Sequence, residues 1–241
     1  MTELQQKAFK TIFFDAAGTL MKPVRPVGQS CALFAENYGV KVSPAEIARR
    51  FHACFSSAPP LAFPNAEAKE IQILEQGWWK DLVRKVFAPY GPFPRYDEYF
   101  AELFAYFGRA DSWVLFPETL DTLAALKKKR VTLAVISNFD SRLFTILQGL
   151  GVSSCFESIV ISSRAGHAKP DPRIFHHALA LHRTEARKAL HIGDSPDKDA
   201  AAAKNAGLTG VLLDRKARIK SNSFLRVQNL AGLLPLIDRR R

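Results

Sequence analysis

Cysteine is scarce in this chain, and the few present form no pattern. Cys31, Cys54 and Cys155 are widely spaced, odd in number and include no Cys-x-x-Cys pair. Neither a disulfide framework nor a thiolate zinc site is indicated, and the thiols read as small apolar residues in a reducing, cytoplasmic setting. No apolar run approaches the roughly 20 residues of a membrane helix, so the expectation is no membrane association. The opening residues MTELQQKAFK lack the apolar stretch of a secretory signal. The six histidines show no metal-ligand spacing. There is also no recognisable nucleic-acid-binding motif, although the formal net charge is +11. The basic residues are dispersed. One short cluster, Lys127 to Arg130, closes a predicted helix, where cations suit the helix dipole. The other, Arg239 to Arg241, is the chain end. We therefore read the charge as attraction for a small anionic substrate rather than for nucleic acid.

What is present is an ordered series of strands and helices. A length of 241 residues allows one large domain, or a core with an insertion. Hydrophobic and charged fractions of 47% and 24% are ordinary for a globular protein. Residues 11 to 20, TIFFDAAGTL, begin with a short apolar run that reads as a buried strand. The strand ends in Asp15 and a small-residue turn. That pattern fits a carboxylate held at the rim of a sheet, and equally a strand ending in a polar turn.

MKPVRPVG then reads as a linker. Helical segments follow with no strand between them. Cys31 to Tyr38 is a short amphipathic run. Ser43-Pro44-Ala45-Glu46 is a capping box opening a helix to about Ser56. SAPPLAFPN is a break. Glu67 to about Ala88 and Asp97 to Phe107 are further helices, with apolar residues at three- and four-residue spacing. Their aromatics, Trp78 and Trp79 included, read as packing, with a minority available to line a pocket.

The pattern changes at Trp113. Helix 118–129 leads to strand 132–137, and Asp140 can cap helix 142–150. Strand 158–162, helix 173–181 after Asp171-Pro172, and strand 189–193 follow. An alanine-rich helix then runs from Pro196 to Ala206, closed by Gly207. Strand 210–213 and a final helix 225–237 complete the chain. This alternation predicts an α/β fold with a doubly wound parallel sheet. The helical stretch interrupts it just after the first strand. The economical division is a core of residues 1–22 and 113–241 with an inserted all-helical cap of residues 23–112. Ligands of such sheets bind at the carboxyl ends of the strands, so the insertion would lie above the site as a lid.

The polar residues at those strand ends form a set. The first strand offers Asp15, and the strand TLAVIS offers Ser137 and then Asn138. ALHIG offers Asp194, with Asp197 and Asp199 close behind, and Lys169 lies just before a helix. Asp15 and Asp194 are hard oxygen ligands of the kind Mg²⁺ prefers. Ser137 and Lys169 can hold phosphoryl oxygens. Asp15 can then attack phosphorus and form an aspartyl-phosphate.

These residues carry a resemblance. Asp15-x-x-Gly18-Thr19-Leu20, the apolar strand ending in Ser137-Asn138, Lys169-Pro170-Asp171, and Gly193-Asp194-Ser195 through Asp199 resemble, in order and separation, the four motifs of the haloacid dehalogenase superfamily. The cap position is similar to that of subfamily I, and SNFD, KPDPRIF and WWKDLV resemble its Reg-like branch. The resemblance implies a Rossmann-like core, Mg²⁺ as cofactor, and hydrolysis through Asp15. It assigns Asp15, Ser137 and Lys169 to catalysis. It assigns Gly18, Thr19, Ser137, Asn138 and Lys169 to phosphate. Asp15, Asp194, the backbone carbonyl of Ala17 and, in support, Asp199 are assigned to the metal.

The chain departs from the family at one place. Phosphatases of this family carry a second aspartate two residues after the nucleophile, to protonate the leaving oxygen. Here that residue is Ala17. Three readings stay open: a Mg²⁺-dependent phosphatase of a small phosphorylated metabolite, a carbon-centred hydrolase of dehalogenase or phosphonatase type, and a non-catalytic binder of a phosphorylated ligand or partner. A phosphonatase would need a Schiff-base lysine from the cap, for which Lys41 and Lys69 are available. His167 is the histidine placed to stand in as proton donor, against the plainer reading of a loop histidine. His176, His177 and His191 read as surface or packing residues, and Asp140 as a cap. Lys22 and Arg25 read as solvated loop charges within reach of substrate.

Overall fold

The run Thr11–Phe14 forms strand β1, all four residues buried, in a computed structural model that describes residues 9–219 and 223–238. The chain end Arg239 to Arg241 and most of the opening decapeptide lie outside the described residues. Phe13 faces a layer with Ala134 and Ile136, while Ile12 and Phe14 face the opposite layer with Leu133 and Val135. Both faces of the sheet are thus covered, which is why its strands are written as unbroken apolar runs.

The remaining elements, in order, are β2 (Met21–Pro23), α1 (Val27–Glu36), α2 (Pro44–Ser57), α3 (Ile71–Phe87), α4 (Tyr96–Gly108), β3 (Trp113–Leu115) and α5 (Thr119–Lys128). Then come β4 (Thr132–Ser137), α6 (Arg142–Gly149), β5 (Ser158–Ile161), α7 (Ser162–Ala165), α8 (Pro172–Leu181) and β6 (Ala189–Gly193). The last are α9 (Ala202–Asn205), β7 (Thr209–Leu213), β8 (Leu225–Val227) and α10 (Leu233–Asp238). Six strands form one sheet in the order β5-β4-β1-β6-β7-β8, and every pairing within it is parallel. This is the doubly wound, Rossmann-like α/β fold expected.

Helices α1 to α4 bury an apolar cluster of their own, including Cys31, Ile47, Val86, Tyr99, Phe100 and Leu103. Gly28 lets α1 cross close to α2, since a Cβ there would lie 2.4 Å from the Pro44 carbonyl oxygen. The insertion is held to the sheet by polar contacts. Glu75 on α3, 2% exposed, accepts hydrogen bonds from the Ser141 N–H (3.0 Å), the Ser141 hydroxyl (2.9 Å) and the Ser163 hydroxyl (2.6 Å). Trp79 Nε1 donates to Asp140 Oδ2 at 2.6 Å. The Ser162 hydroxyl donates to the Leu61 carbonyl at 2.6 Å. Ser141 and Ser162 lie just past the ends of β4 and β5, so the insertion rests on the carboxyl edge of the sheet.

Several elements differ from expectation. Part of the linker is ordered as β2, which pairs antiparallel with β3 and ties the two ends of the insertion together. Helix α1 begins at Val27 rather than near Cys31. The expected final helix from Leu225 is instead β8, parallel to β7, and only Leu233–Asp238 is helical. Asn229 ends the strand and its side chain caps the next turn by accepting the Gly232 N–H at 3.1 Å. The helix expected from Pro196 begins as a π-helix, Pro196–Ala201, with the Ala200 N–H reaching back to the Ser195 carbonyl. Such wide turns concentrate at functional sites.

Glu75→Ala leaves the buried Ser163 hydroxyl, the half-buried Ser141 hydroxyl and the Ser141 N–H without their acceptor. Urea unfolding is expected to show a loss of about 1–3 kcal/mol. Glu75→Gln, which keeps an acceptor oxygen, should lose less.

Candidate active site

Strand register brings the acidic groups together. Phe14 pairs with Val135 and with Ile192, so Asp15 emerges level with Gly193, and its N–H donates to the Ile192 carbonyl at 2.9 Å. Ser137 ends β4 on one side, and Asp194 follows β6 on the other. Asp15 is 7% exposed. Its Oδ1 accepts the Lys169 ammonium at 2.8 Å and the Ser137 hydroxyl at 3.2 Å. Both bonds fall on one oxygen, so Oδ2 is left for attack or for a cation.

Lys169, 4% exposed, also reaches Asp199 Oδ1 at 2.5 Å. Burial works to lower its pKa, but the carboxylates of Asp15 and Asp199 overcome it and hold it at about 12. Asp199 is buried too, and burial works against its charge. Lys169 and His191 prevail and keep its carboxyl below the usual range. Its Oδ1 also contacts His191 Nε2 at 2.8 Å, and its Oδ2 accepts the Ser195 N–H at 3.0 Å. The wide first turn after Pro196 is what returns Asp199 to the end of the sheet. His191, fully buried in β6, has its pKa lowered by burial. Its Nδ1 has no hydrogen-bond partner.

Asp194 is an exposed residue of this group, at the solvent edge of the cleft. Its pKa is nonetheless raised to about 7, by the desolvation of the crowded cleft floor and then by the charges of Asp15 and Asp199. Two glycines make the crowding possible. A Cβ on Gly18 would lie 2.4 Å from Asp194 Oδ2, and one on Gly193 would lie 2.3 Å from Asp199 Oδ2. Gly18 also has φ +90°, a conformation that favours glycine.

Carboxylate oxygens of Asp15, Asp194 and Asp199 lie within 4.8 Å of one another. Oxygen donors at that spacing fit a hard divalent cation such as Mg²⁺. Asp15 and Asp194 offer the less committed oxygens. Asp199 is already occupied by Lys169, His191 and the Ser195 N–H, so it supports the set from behind.

The residues expected at phosphate make the following bonds within the protein. The Asn138 side chain donates to the Lys169 carbonyl and accepts the Lys169 N–H, each at 2.7 Å. Its amide therefore fixes the lysine. The Gly18 N–H donates to the Met21 carbonyl, and the Thr19 N–H to the Ala16 carbonyl. Those two residues shape the turn, and the buried Thr19 hydroxyl has no partner. Ala17 is half-buried in the same turn, packed against the core, and carries no ionisable group.

Other candidates are not brought to the site. Lys41 and Lys69 are exposed, Lys69 in an ion pair with Glu67. Lys22 and Arg25 are exposed, as are His176 and His177. His167, by contrast, lines a groove that includes Lys169 along with Pro59, Pro64 and Asp171. Asp140 is fully buried and accepts the Arg142 N–H at 3.0 Å, as a cap does.

Arg215 is a residue that sequence reading missed. Its guanidinium donates to the Thr19 carbonyl at 2.8 Å and the Gly18 carbonyl at 3.3 Å. It pairs with Glu118 at 2.7 Å and lies over the Phe116 ring. It braces the turn behind Asp15 from almost two hundred residues away, and no local motif marks it.

The raised pKa of Asp194 predicts a pH effect. Between the unfolded value, near 3.8, and about 7, the folded chain holds a proton on Asp194 that the unfolded chain does not. Stability from this group therefore falls as pH rises through that range. His182 and His191, with lowered pKa, act in the opposite sense up to about 6.5. Comparison with Asp194→Asn isolates the aspartate. In EDTA, the melting temperature of the variant minus that of the wild type should grow from pH 5 to pH 8.

Known proteins are similar to this chain in sequence and in fold. A family profile described as haloacid dehalogenase-like hydrolase matches residues 9–207. The chain is 32% identical to the bovine haloacid dehalogenase-like hydrolase domain-containing protein 3 over 241 residues, 95% of this chain and 94% of the relative. It is 29% identical to the Drosophila melanogaster rhythmically expressed gene 2 protein, over 87% and 84% of the two chains. Among solved structures, the magnesium-bound HAD-hydrolase YfnB of Bacillus subtilis superposes with a TM-score of 0.77 at 16% identity, covering 96% of this chain and all of that one. A 2-haloacid dehalogenase of Pseudomonas syringae gives 0.67 at 21% identity, over 97% and 100%. A HAD phosphatase of Thermococcus onnurineus gives 0.66 at 20%, over 96% and 99%. The structures share the fold while differing in chemistry, and the sequence matches carry the assignment. With its four motifs gathered at one sheet edge, this chain belongs to the haloacid dehalogenase-like hydrolase family.

Proposed function

We propose that this hydrolase is a Mg²⁺-dependent phosphatase of a small phosphorylated substrate, with Asp15 as nucleophile. The observation that carries the reading is the shared hold of Lys169 and Ser137 on one oxygen of Asp15, beside a trio of carboxylates spaced for a divalent cation. We take residues 23–112 as the cap and residues 1–22 with 113–241 as the core. The three cysteines are free thiols, in keeping with a cytoplasmic setting.

The proposed chemistry follows from the side chains. The Ser137 hydroxyl and Lys169 ammonium hold phosphoryl oxygens. Asp15 Oδ2 attacks phosphorus while the bond to the leaving oxygen breaks. Water then attacks the aspartyl-phosphate, freeing phosphate and restoring the carboxylate. Mg²⁺, held by Asp15 and Asp194 with Asp199 in support, would offset charge on the phosphoryl oxygens. Lys169 is spent on two carboxylates and, with its pKa near 12, does not serve as a proton donor. Ala17 supplies no proton either, so the acid expected two residues after the nucleophile is missing.

Carbon-centred hydrolysis is the second reading, favoured by Ala17 and by the aromatic side chains of the cap. A cation-spaced carboxylate trio counts against it. The phosphonatase form lacks support, because Lys41 and Lys69 are on the outer surface.

Phosphate release from p-nitrophenyl phosphate should require Mg²⁺, stop in EDTA and vanish in Asp15→Asn. Halide release from 2-haloacids with no phosphate release would replace this reading with the second. Ala17→Asp restores an acid two residues after the nucleophile. Loss of such a group costs about 10²- to 10⁴-fold, so the variant should hydrolyse alkyl phosphates at least about tenfold faster than wild type. No gain would show that leaving-group protonation is not what limits the enzyme.

A further inference from the structure

Phe51 and Phe55 on α2 and Trp79 on α3 form a platform. Their planes lie within 11° to 23° of parallel, and their ring centroids are 5.9 to 6.5 Å apart. All three are only half-buried. The platform meets the core at both ends. Trp79 bonds to Asp140, three residues past the end of β4. The ammonium of Lys198, four residues past Asp194 at the end of β6, lies over one face of the Phe55 ring at 5.5 Å, and the Arg142 guanidinium over one face of Trp79 at 5.3 Å. In the sheet, β1 lies between β4 and β6. A span from one to the other crosses the end of β1, where Asp15 stands.

Two independent features now point to one kind of leaving group. Parallel ring faces favour a flat aromatic group through offset stacking. Ala17 offers no proton, so a leaving oxygen that can depart with its charge is favoured. A phenolate, whose acid has a pKa of about 10, does this far better than an alkoxide, whose acid is comparable to water at roughly 16. We infer that the substrate is an aryl phosphate monoester, its ring stacked on the Phe55–Trp79 platform and its phosphate at Asp15. The inference deepens the phosphatase reading and rests on it. Asp15 Oδ2 bonds to phosphorus, and the phosphorus–oxygen bond to the aryl group breaks. The electron pair leaves on the phenolate, which takes its proton from water. Water oxygen then bonds to phosphorus as the bond to Asp15 breaks, and the water's proton passes to the released phosphate. The apolar cavity beside the platform, about 80 Å³ between Phe51, Trp79, Phe139 and Arg142, is smaller than the about 150 Å³ that admits benzene. The ring therefore lies on the platform and not in the cavity.

The test compares phenyl phosphate, 1-naphthyl phosphate and acetyl phosphate on the full chain with Mg²⁺, with Asp15→Asn as the blank. Acetyl phosphate has a good leaving group and no ring. We expect kcat/KM to rise from phenyl to naphthyl, mainly through KM. In Phe55→Leu the naphthyl-to-acetyl ratio of kcat/KM should fall about threefold to tenfold. The ratio is taken within one preparation, so any loss of folded protein cancels. Asp15-dependent hydrolysis of acetyl phosphate, with no naphthyl preference or with a ratio that survives Phe55→Leu, would overturn the inference and leave the phosphatase reading standing. Absence of phosphate release from every compound would remove that reading and the inference together.

Discussion

The ammonium of Lys169, buried between Asp15 and Asp199, is the constraint on which the rest of the site depends. Three carboxylates whose oxygens gather within 4.8 Å repel one another strongly where water is excluded. Lys169 is their resident counter-charge. It keeps Asp199 ionised, while desolvation, and then the charges of Asp15 and Asp199, raise the pKa of Asp194. The lysine is fixed from two directions, by the Asn138 amide on its backbone and by Asp199, itself held by His191, on its ammonium.

The fold supplies the geometry that one cation can stabilise. Parallel register sets Asp15 level with Gly193, and two glycines leave room for carboxylates where any side chain would collide. The turn after β1 is held inwardly by its own N–H groups and outwardly by Arg215. That brace explains how a short run of small residues presents a carboxylate in a fixed direction.

The parts of the fold legible in the sequence are those set by neighbours along the chain. The runs Thr11–Phe14, Thr132–Ser137 and Ala189–Gly193 are apolar because both faces are covered, and each ends in the polar residue that the sheet edge exposes. Asp171-Pro172 opens α8 as expected. The parts that were not legible depend on distant partners. Leu225–Val227 is a strand because β7 offers an open edge, although its one leucine and the leucines that follow also suit a helix. Met21–Pro23 is ordered by Trp113–Leu115, some ninety residues on. Arg215 and Glu75 are ordinary charged residues until the turn and the serines they bind are brought to them. The hold of the Asn138 amide on Lys169 likewise depends on a partner fixed only by the fold.

The seam between cap and core has a further consequence. Much of it consists of donors and acceptors rather than grease: Glu75 with Ser141 and Ser163, Trp79 with Asp140, Ser162 with the Leu61 carbonyl. Each is a bond that water can replace, while Phe107, Trp113 and Phe139 add an apolar patch to the same seam. The net worth of such a bond is only about 0.5–1.5 kcal/mol. A joint made this way closes in a single register, because its donors match only one set of acceptors.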